Sequence, residues 1–175
     1  MTTLILRLRQ HDERALAALV AYRRPFLDGV MRAVTHMGSA AFTIGTALLL
    51  LLGPVPGSQT VGAHAAFALA ASFLAAQVLK RTVVRPRPRM PVGMESLTRA
   101  PDRFSFPSGH SAAALSIALP IAHTLPGLGL AVLAVGLIVG FSRCYLGVHY
   151  PGDVLAGWAL AACGVLLAGP ALALF

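Results

Sequence analysis

At 175 residues the chain has room for one domain. It is 57% hydrophobic and only 11% charged, roughly half the charge fraction of an ordinary soluble globule, which argues against a soluble helical protein. The net charge of +8 does not mark a nucleic-acid partner either, because such a binder displays its basic residues on a polar surface and this chain has little of one.

Taken in chain order, Leu4-Ile5-Leu6 is interrupted by Arg7 and Arg9, too early for the apolar stretch of a secretory signal. Residues 1–36 mix Leu16, Leu19, Val20, Phe26, Leu27 and Met31 with Arg14, Arg23, Arg24 and Arg32. That pattern suits one or two amphipathic helices at the membrane interface, separated by Pro25. A full span is disfavoured here, since each Arg at the bilayer centre would cost about 3 kcal/mol.

Five apolar stretches follow, at 38–53, 61–79, 109–125, 128–145 and 153–172. Each is about 16 to 20 residues, or roughly 24–30 Å as helix, enough or nearly enough to cross a bilayer. The first and fourth are short, so either their boundaries or their reach differ from the apolar run. Pro120 is expected to kink the third. Gly-Pro and Pro-Gly pairs at 53–57 and 126–127 mark tight turns. Gly136 and Gly140 form a small-xxx-small pair suited to packing within the bundle. Cys144, at a membrane edge, and Cys163, midway along the last stretch, read as unpaired small packing residues. The expectation is an all-α polytopic membrane bundle of about five transmembrane helices (37–175) with interfacial amphipathic helices (1–36), forming one domain over 1–175.

On that map all fourteen Lys and Arg and all six Asp and Glu fall on one side of the membrane. The other rim, made of 54–60, 126–127 and the C-terminus, is formally neutral. A neutral rim cannot hold a charged substrate, so any chemistry belongs to the charged side.

Three segments stand out there: Lys80-Arg-Thr-Val-Val-Arg-Pro-Arg87-Pro88, Pro107-Ser-Gly-His110, and Ser142-Arg143 running to His149 and Asp153. Phosphoryl transfer needs fixed cations around the equatorial oxygens, and Lys80, Arg87 and Arg143 can supply them. Ser108 and Gly109 stand where a helix begins, with free amides for an oxygen. His149, with Asp153 four residues later to fix its tautomer, fits a nucleophile. His110 is placed to act as general acid. A metal site of His110, His149 and Asp153 is the competing reading, but three converging cations would repel a divalent ion, so no metal or cofactor is expected. Taken singly, the pieces are bland. Arg81, Arg99 and Arg103 read as membrane anchors, and His11, His36, His64 and His123 as structural histidines.

The three segments together resemble the signature of the type 2 phosphatidic acid phosphatase family, membrane relatives of the vanadium-dependent haloperoxidases. Its parts, Lys-x6-Arg-Pro, Pro-Ser-Gly-His and Ser-Arg-x5-His-x3-Asp, are all met between residues 80 and 153. The resemblance implies that His149 attacks phosphorus to give a phosphohistidine, supported by Asp153. His110 then serves as acid and afterwards as base for water, while Lys80, Arg87, Arg143, Ser108 and Gly109 cradle the phosphate. Arg85-Pro86 duplicates Arg87-Pro88, and only the x6 spacing selects Arg87; Arg85 either assists or anchors.

Bacterial members of that family typically have six spans and an active site facing the periplasm or exterior. The excess of basic residues instead points the charged side to the cytoplasm of a bacterial inner membrane. The expected substrate is a lipid phosphate: a polyprenyl (undecaprenyl-type) diphosphate or phosphate first, then phosphatidylglycerophosphate or phosphatidate, then a prenyl-linked sugar phosphate. A phosphotransferase, a haloperoxidase and a silent scaffold are the rivals. The 89–106 loop, with Met90, Met94, Glu95 and Arg99, is expected to help select the headgroup. Nothing in the sequence sets the oligomeric state.

Overall fold

The computed structural model describes residues 2–100 and 102–173. The side chains of Leu4, Ile5 and Leu6, residue 101 of the 89–106 loop and residues 174–175 of the neutral rim lie outside the described residues. The described residues form seven helices: α1 (Thr2–Ala21), α2 (Pro25–Thr35), α3 (Ala40–Leu52), α4 (Ser58–Val83), α5 (Gly109–Thr124), α6 (Pro126–Tyr145) and α7 (Pro151–Leu172), with a 3₁₀ turn at His36–Gly38 between α2 and α3. Among the described residues the only strand-like pairing is a single bridge between Pro86 and Phe104.

The helix ends follow local chemistry. Pro25, Pro126 and Pro151 open α2, α6 and α7, where a missing N–H costs nothing. Ser39 and Ser108 cap α3 and α5 by accepting from the amides of Phe42 and Ser111. Val84 ends α4 at φ 48°, a left-handed conformation that a β-branched residue adopts only under strain. The chain reverses there, toward Arg85 and Arg87.

The five apolar stretches become α3 to α7. By length and composition α4, α6 and α7 can each cross a membrane. α3 has only 13 residues, about 20 Å, and falls short alone. It passes the same test jointly with Pro25–Gly38, to which it is joined by a 51° bend. By length and composition alone, α3 reaches across only when counted together with α2. α5 has 16 residues and packs against α3, α4, α6 and α7. These neighbours shelter it, so its polar groups find protein partners: Ser116 meets Ser72 of α4 at 3.1 Å.

Close approaches hold the bundle. A Cβ on Gly136 would lie 3.0 Å from that of Ala118, and one on Gly140 would lie 2.5 Å from the Trp158 ring nitrogen, so this pair does pack within the bundle. α1 docks on the charged end, where Leu16 and Val20 bury against Cys144, Tyr150 and Val154. Both cysteines are free; Cys144 is buried in that cluster, whereas Cys163 is exposed.

Candidate active site

The three segments meet at the charged end of the bundle. His149 stands on the turn between α6 and α7, whose amides at 148 and 149 fold back onto the Arg143 carbonyl (3.1 and 3.2 Å). Its ring is almost fully enclosed. Nε2 lies 2.8 Å from Nη1 of Arg87. A guanidinium only donates, so Nε2 is an acceptor with its lone pair outward, and the ring proton belongs on Nδ1. Nδ1 faces Oδ2 of Asp153 at 3.6 Å, beyond a hydrogen bond but correctly aimed. Burial pushes the imidazole down to about 4, against the pull of Asp153 and helped by Arg87 and Arg143. The side chain is thus a neutral imidazole at physiological pH.

Asp153, with no exposed surface, accepts from the Tyr150 amide at Oδ2 and from Arg85 Nη1 at Oδ1, both at 2.8 Å. Arg143 closes α6 and is 2% exposed. Its Nη1 donates to the Thr35 hydroxyl at 2.6 Å, while its Nε is buried without a protein partner. A buried cationic donor left unused is what an anion would satisfy.

Lys80 and Arg87 are instead paired with Asp102, Lys80 Nζ at 2.5 Å and Arg87 Nη2 at 2.9 Å. Burial alone would raise the Asp102 carboxyl, but these two cations outweigh it and hold it below the usual carboxylate range. The pairing rests on the Pro86–Phe104 bridge and on Ser105, whose amide donates to the Arg85 carbonyl at 2.8 Å. In this arrangement a carboxylate sits on two cations that could hold a phosphate.

A cavity of about 590 Å³ opens onto Lys80 and Asp102, with Arg87 outside its lining. Lys80, Asp102, Gly109, His110 and His149 line one end. Its walls are methyl-sized or apolar side chains of α3, α4 and α5, among them Ala47, Ala66, Ala70 and Ala113. Ile44, Leu48 and Phe73 stand on its rim and are about half exposed on the outer face of α3 and α4. Gly38 brings the 3₁₀ turn against α5, since a Cβ there would lie 2.9 Å from the His110 carbonyl.

Arg143 and Asp153 are enclosed in protein and do not line the cavity. Ser108 differs from expectation: its amide is taken by the Asp153 carbonyl (2.9 Å) and its hydroxyl accepts from Ser111 (2.7 Å). The first-turn amides left for an anion are those of Gly109 and His110. Of the 89–106 loop expected to select a headgroup, Asp102 lines the cavity and Met90, Met94, Glu95 and Arg99 do not; Met90 packs on the α1 cluster and the Glu95 carbonyl accepts from Arg23 (2.7 Å). Asp102, Thr35 and Asp12 were not singled out from sequence, because each makes contacts far along the chain. Arg85 was, through its repeated Arg-Pro.

The arrangement can perform in-line displacement at phosphorus: a neutral imidazole nitrogen faces a cationic cage, with a second imidazole on the same cavity. Fold and site together define an integral membrane phosphatase. The chain belongs to the PAP2 superfamily, whose family model matches residues 62–171. It is 34% identical over 169 residues to phosphatidylglycerophosphatase B of Bacillus subtilis, covering 89% of this chain and 79% of that protein. It is 37% identical over 149 residues to decaprenylphosphoryl-5-phosphoribose phosphatase of Mycolicibacterium smegmatis, covering 82% and 77%. Among solved structures it resembles a transmembrane PAP2-type phosphatidylglycerolphosphate phosphatase of Bacillus subtilis, with TM-score 0.75 and 30% identity over 94% of this chain and 85% of that one.

Proposed function

We propose that this chain hydrolyses the phosphate of a membrane lipid without metal, a polyprenyl phosphate or diphosphate being the first candidate substrate. The observation that carries the reading is the cavity: its charged end holds His149, His110 and Lys80, and its walls are apolar side chains of α3, α4 and α5. A soluble phosphate ester would gain nothing from such walls, whereas a lipid can bury part of its tail there. Phosphatidylglycerophosphate is the second reading, favoured by the likeness to the Bacillus subtilis phosphatases.

In the proposed reaction the substrate phosphate displaces Arg87 from Nε2 of His149, and Asp102 from Lys80 and Arg87. Nε2 attacks phosphorus while Lys80, Arg87, Arg143 and the Gly109 amide hold the developing charge. The negative charge of the bound phosphate favours a protonated His110 ring beside it, and that ring then gives its proton to the leaving oxygen. Asp153 stabilises the Nδ1 proton throughout. His110, now neutral, takes a proton from water, whose oxygen attacks the phosphohistidine and releases inorganic phosphate.

The test is phosphate release by purified protein in detergent with EDTA, comparing undecaprenyl diphosphate, phosphatidylglycerophosphate and phosphatidate, with His149→Ala as control. Release that survives EDTA and disappears in His149→Ala is expected. Activity retained by the variant, or lost with EDTA, would overturn the mechanism. A lipid acceptor that takes the phosphate in place of water would make the chain a transferase.

The charged end is proposed to face the cytoplasm of a bacterial inner membrane, since every Lys and Arg clusters there. A reporter fused after residue 175 reads the opposite rim. A reporter that functions only in the cytoplasm should be silent, and an active one would put the site on the exterior.

A further inference from the structure

Arg85, ambiguous in the sequence, does not point to solvent as a membrane anchor would. Its guanidinium is divided between two carboxylates: Nη1 donates to Oδ1 of Asp153 and Nη2 to Oδ2 of Asp12, each at 2.8 Å. Its planar face lies over the Tyr150 ring, 4.2 Å from the centroid. Asp12 comes from α1 and is fixed by a second bond, accepting from the Gly152 amide at Oδ1 (2.8 Å). That amide belongs to the first turn of α7, where N–H groups lack helical partners and favour an anion. The approach is close enough that a Cβ on Gly152 would lie 2.7 Å from Asp12 Oδ2. All three side chains are mostly buried, Arg85 and Asp12 at 19% and 17% exposed and Asp153 at zero.

We infer that Asp12 and Arg85 form a brace that positions the Asp153 carboxylate against His149, which makes α1 part of the active site. Neither touches the cavity, so both are positioning residues. Without Arg85, Asp153 keeps only the Tyr150 amide and is free to turn from Nδ1. Without Asp12, Arg85 loses the partner that ties it to the first turn of α7. The inference rests on the proposed roles of His149 and Asp153.

The experiment uses the full chain in detergent and follows phosphate release from the three lipids named above, with a melting curve for each variant. Asp12→Asn keeps the shape and an acceptor for Gly152 but removes the charge. It should lower kcat by about tenfold, and Arg85→Gln by up to about a hundredfold, the range for residues that orient a catalytic ligand. KM and the competitive inhibition constant of inorganic phosphate should stay within about twofold, because the cationic cradle is untouched. The double variant should be no worse than Arg85→Gln, since the two act as a unit. Arg85→Lys should recover part of the loss. Unchanged kcat in both single variants, with only a lower melting temperature, would overturn the brace, as would losses that multiply in the double variant. His149→Ala separates the two ideas: if it still turns over, the proposed mechanism fails, whereas a dead His149→Ala beside fully active brace variants removes the brace alone.

Discussion

Arg143 and Arg87 both bear on His149, lowering its basicity, yet they belong to differently built halves of the site. Arg143 closes a helix, is nearly fully buried and is pinned by the Thr35 hydroxyl. Together with His149 and Asp153 it forms an inner half whose contacts run to helix ends and backbone amides. Arg87 lies on the loop after α4, and its charge is shared with Lys80 on Asp102, whose side chain is 38% exposed. The inner half holds an unsatisfied donor in a fixed position, whereas the outer half holds cations already neutralised by a group that can leave. The difference suggests a division of labour, in which the inner groups are preorganised for the transition state and the outer ones exchange a carboxylate for the substrate.

The sharpest way to break this comparison is to truncate each arginine in turn. Arg143→Ala should lower kcat/KM by about a hundred- to a thousandfold, the range for removing a preorganised donor. Arg143→Lys should recover little, because an ammonium cannot both reach Thr35 and donate to phosphate from a planar fork. Arg87→Lys should be milder, since a point charge on a loop can follow the phosphate. Equal losses in the two lysine variants would erase the distinction. The pH profile adds a second check. His149 attacks only when Nε2 is unprotonated, and burial sets that titration at about 4 instead of 6.5. Activity should therefore be present above that value and fall as pH drops through it. With the substrate's own ionisation near pH 6 corrected for, the acid limb of kcat/KM should lie near 4. It should move upward in Arg87→Gln, which removes one lowering charge while Arg143, Asp153 and His110 remain. A limb near 6.5 in the wild type would mean that the imidazole is better solvated than this geometry allows.

These outcomes depend on contacts that differ in how far sequence could reveal them. The crossing helices were legible because an apolar run of the right length has few other uses, and α4 to α7 follow the runs within a few residues at most ends. The first stretch was less legible, because α3 has only 13 residues and passes the length test only together with α2, whose Arg and Asp residues read as interfacial. The three motifs were legible as a group because helices alternate direction, so segments at 80, 108 and 149 must share a rim. The partners that hold them were not: Thr35 is 108 residues from Arg143 and Asp12 is 140 residues from Gly152. No local spacing predicts such pairs. Ser108 was misread for a related reason, since a helix-start amide looks free in sequence, yet α7 brings the Asp153 carbonyl to it.

Thr35→Val tests whether the inner half depends on that distant support. The substitution keeps volume and removes the hydroxyl that accepts from Arg143 at 2.6 Å. A buried hydrogen bond to a charged group contributes about 1.5–3 kcal/mol, part of which a retained phosphate can recover. A loss of about tenfold in kcat/KM is expected, with larger discrimination against weakly bound substrates. No loss would mean that Arg143 is held by packing alone.

The smallest effect is expected where the outer half is altered, and its sign matters more than its size. Asp102→Asn removes the charge that Lys80 and Arg87 now share while leaving an amide of the same shape. If the carboxylate only occupies the site until substrate arrives, its loss leaves two cations without a counter-charge. Phosphate should then bind more tightly, with the inhibition constant of inorganic phosphate and KM both falling. A partly exposed ion pair is worth up to about 1 kcal/mol, so the fall should be no more than about fivefold. Turnover should hold or drop slightly, because a product held more tightly leaves more slowly. Weaker phosphate binding would mean the reverse: Asp102 would be ordering Arg87 for the substrate, and the outer half would be as fixed as the inner one. Inorganic phosphate is the better probe, since it reads the cradle without the lipid tail.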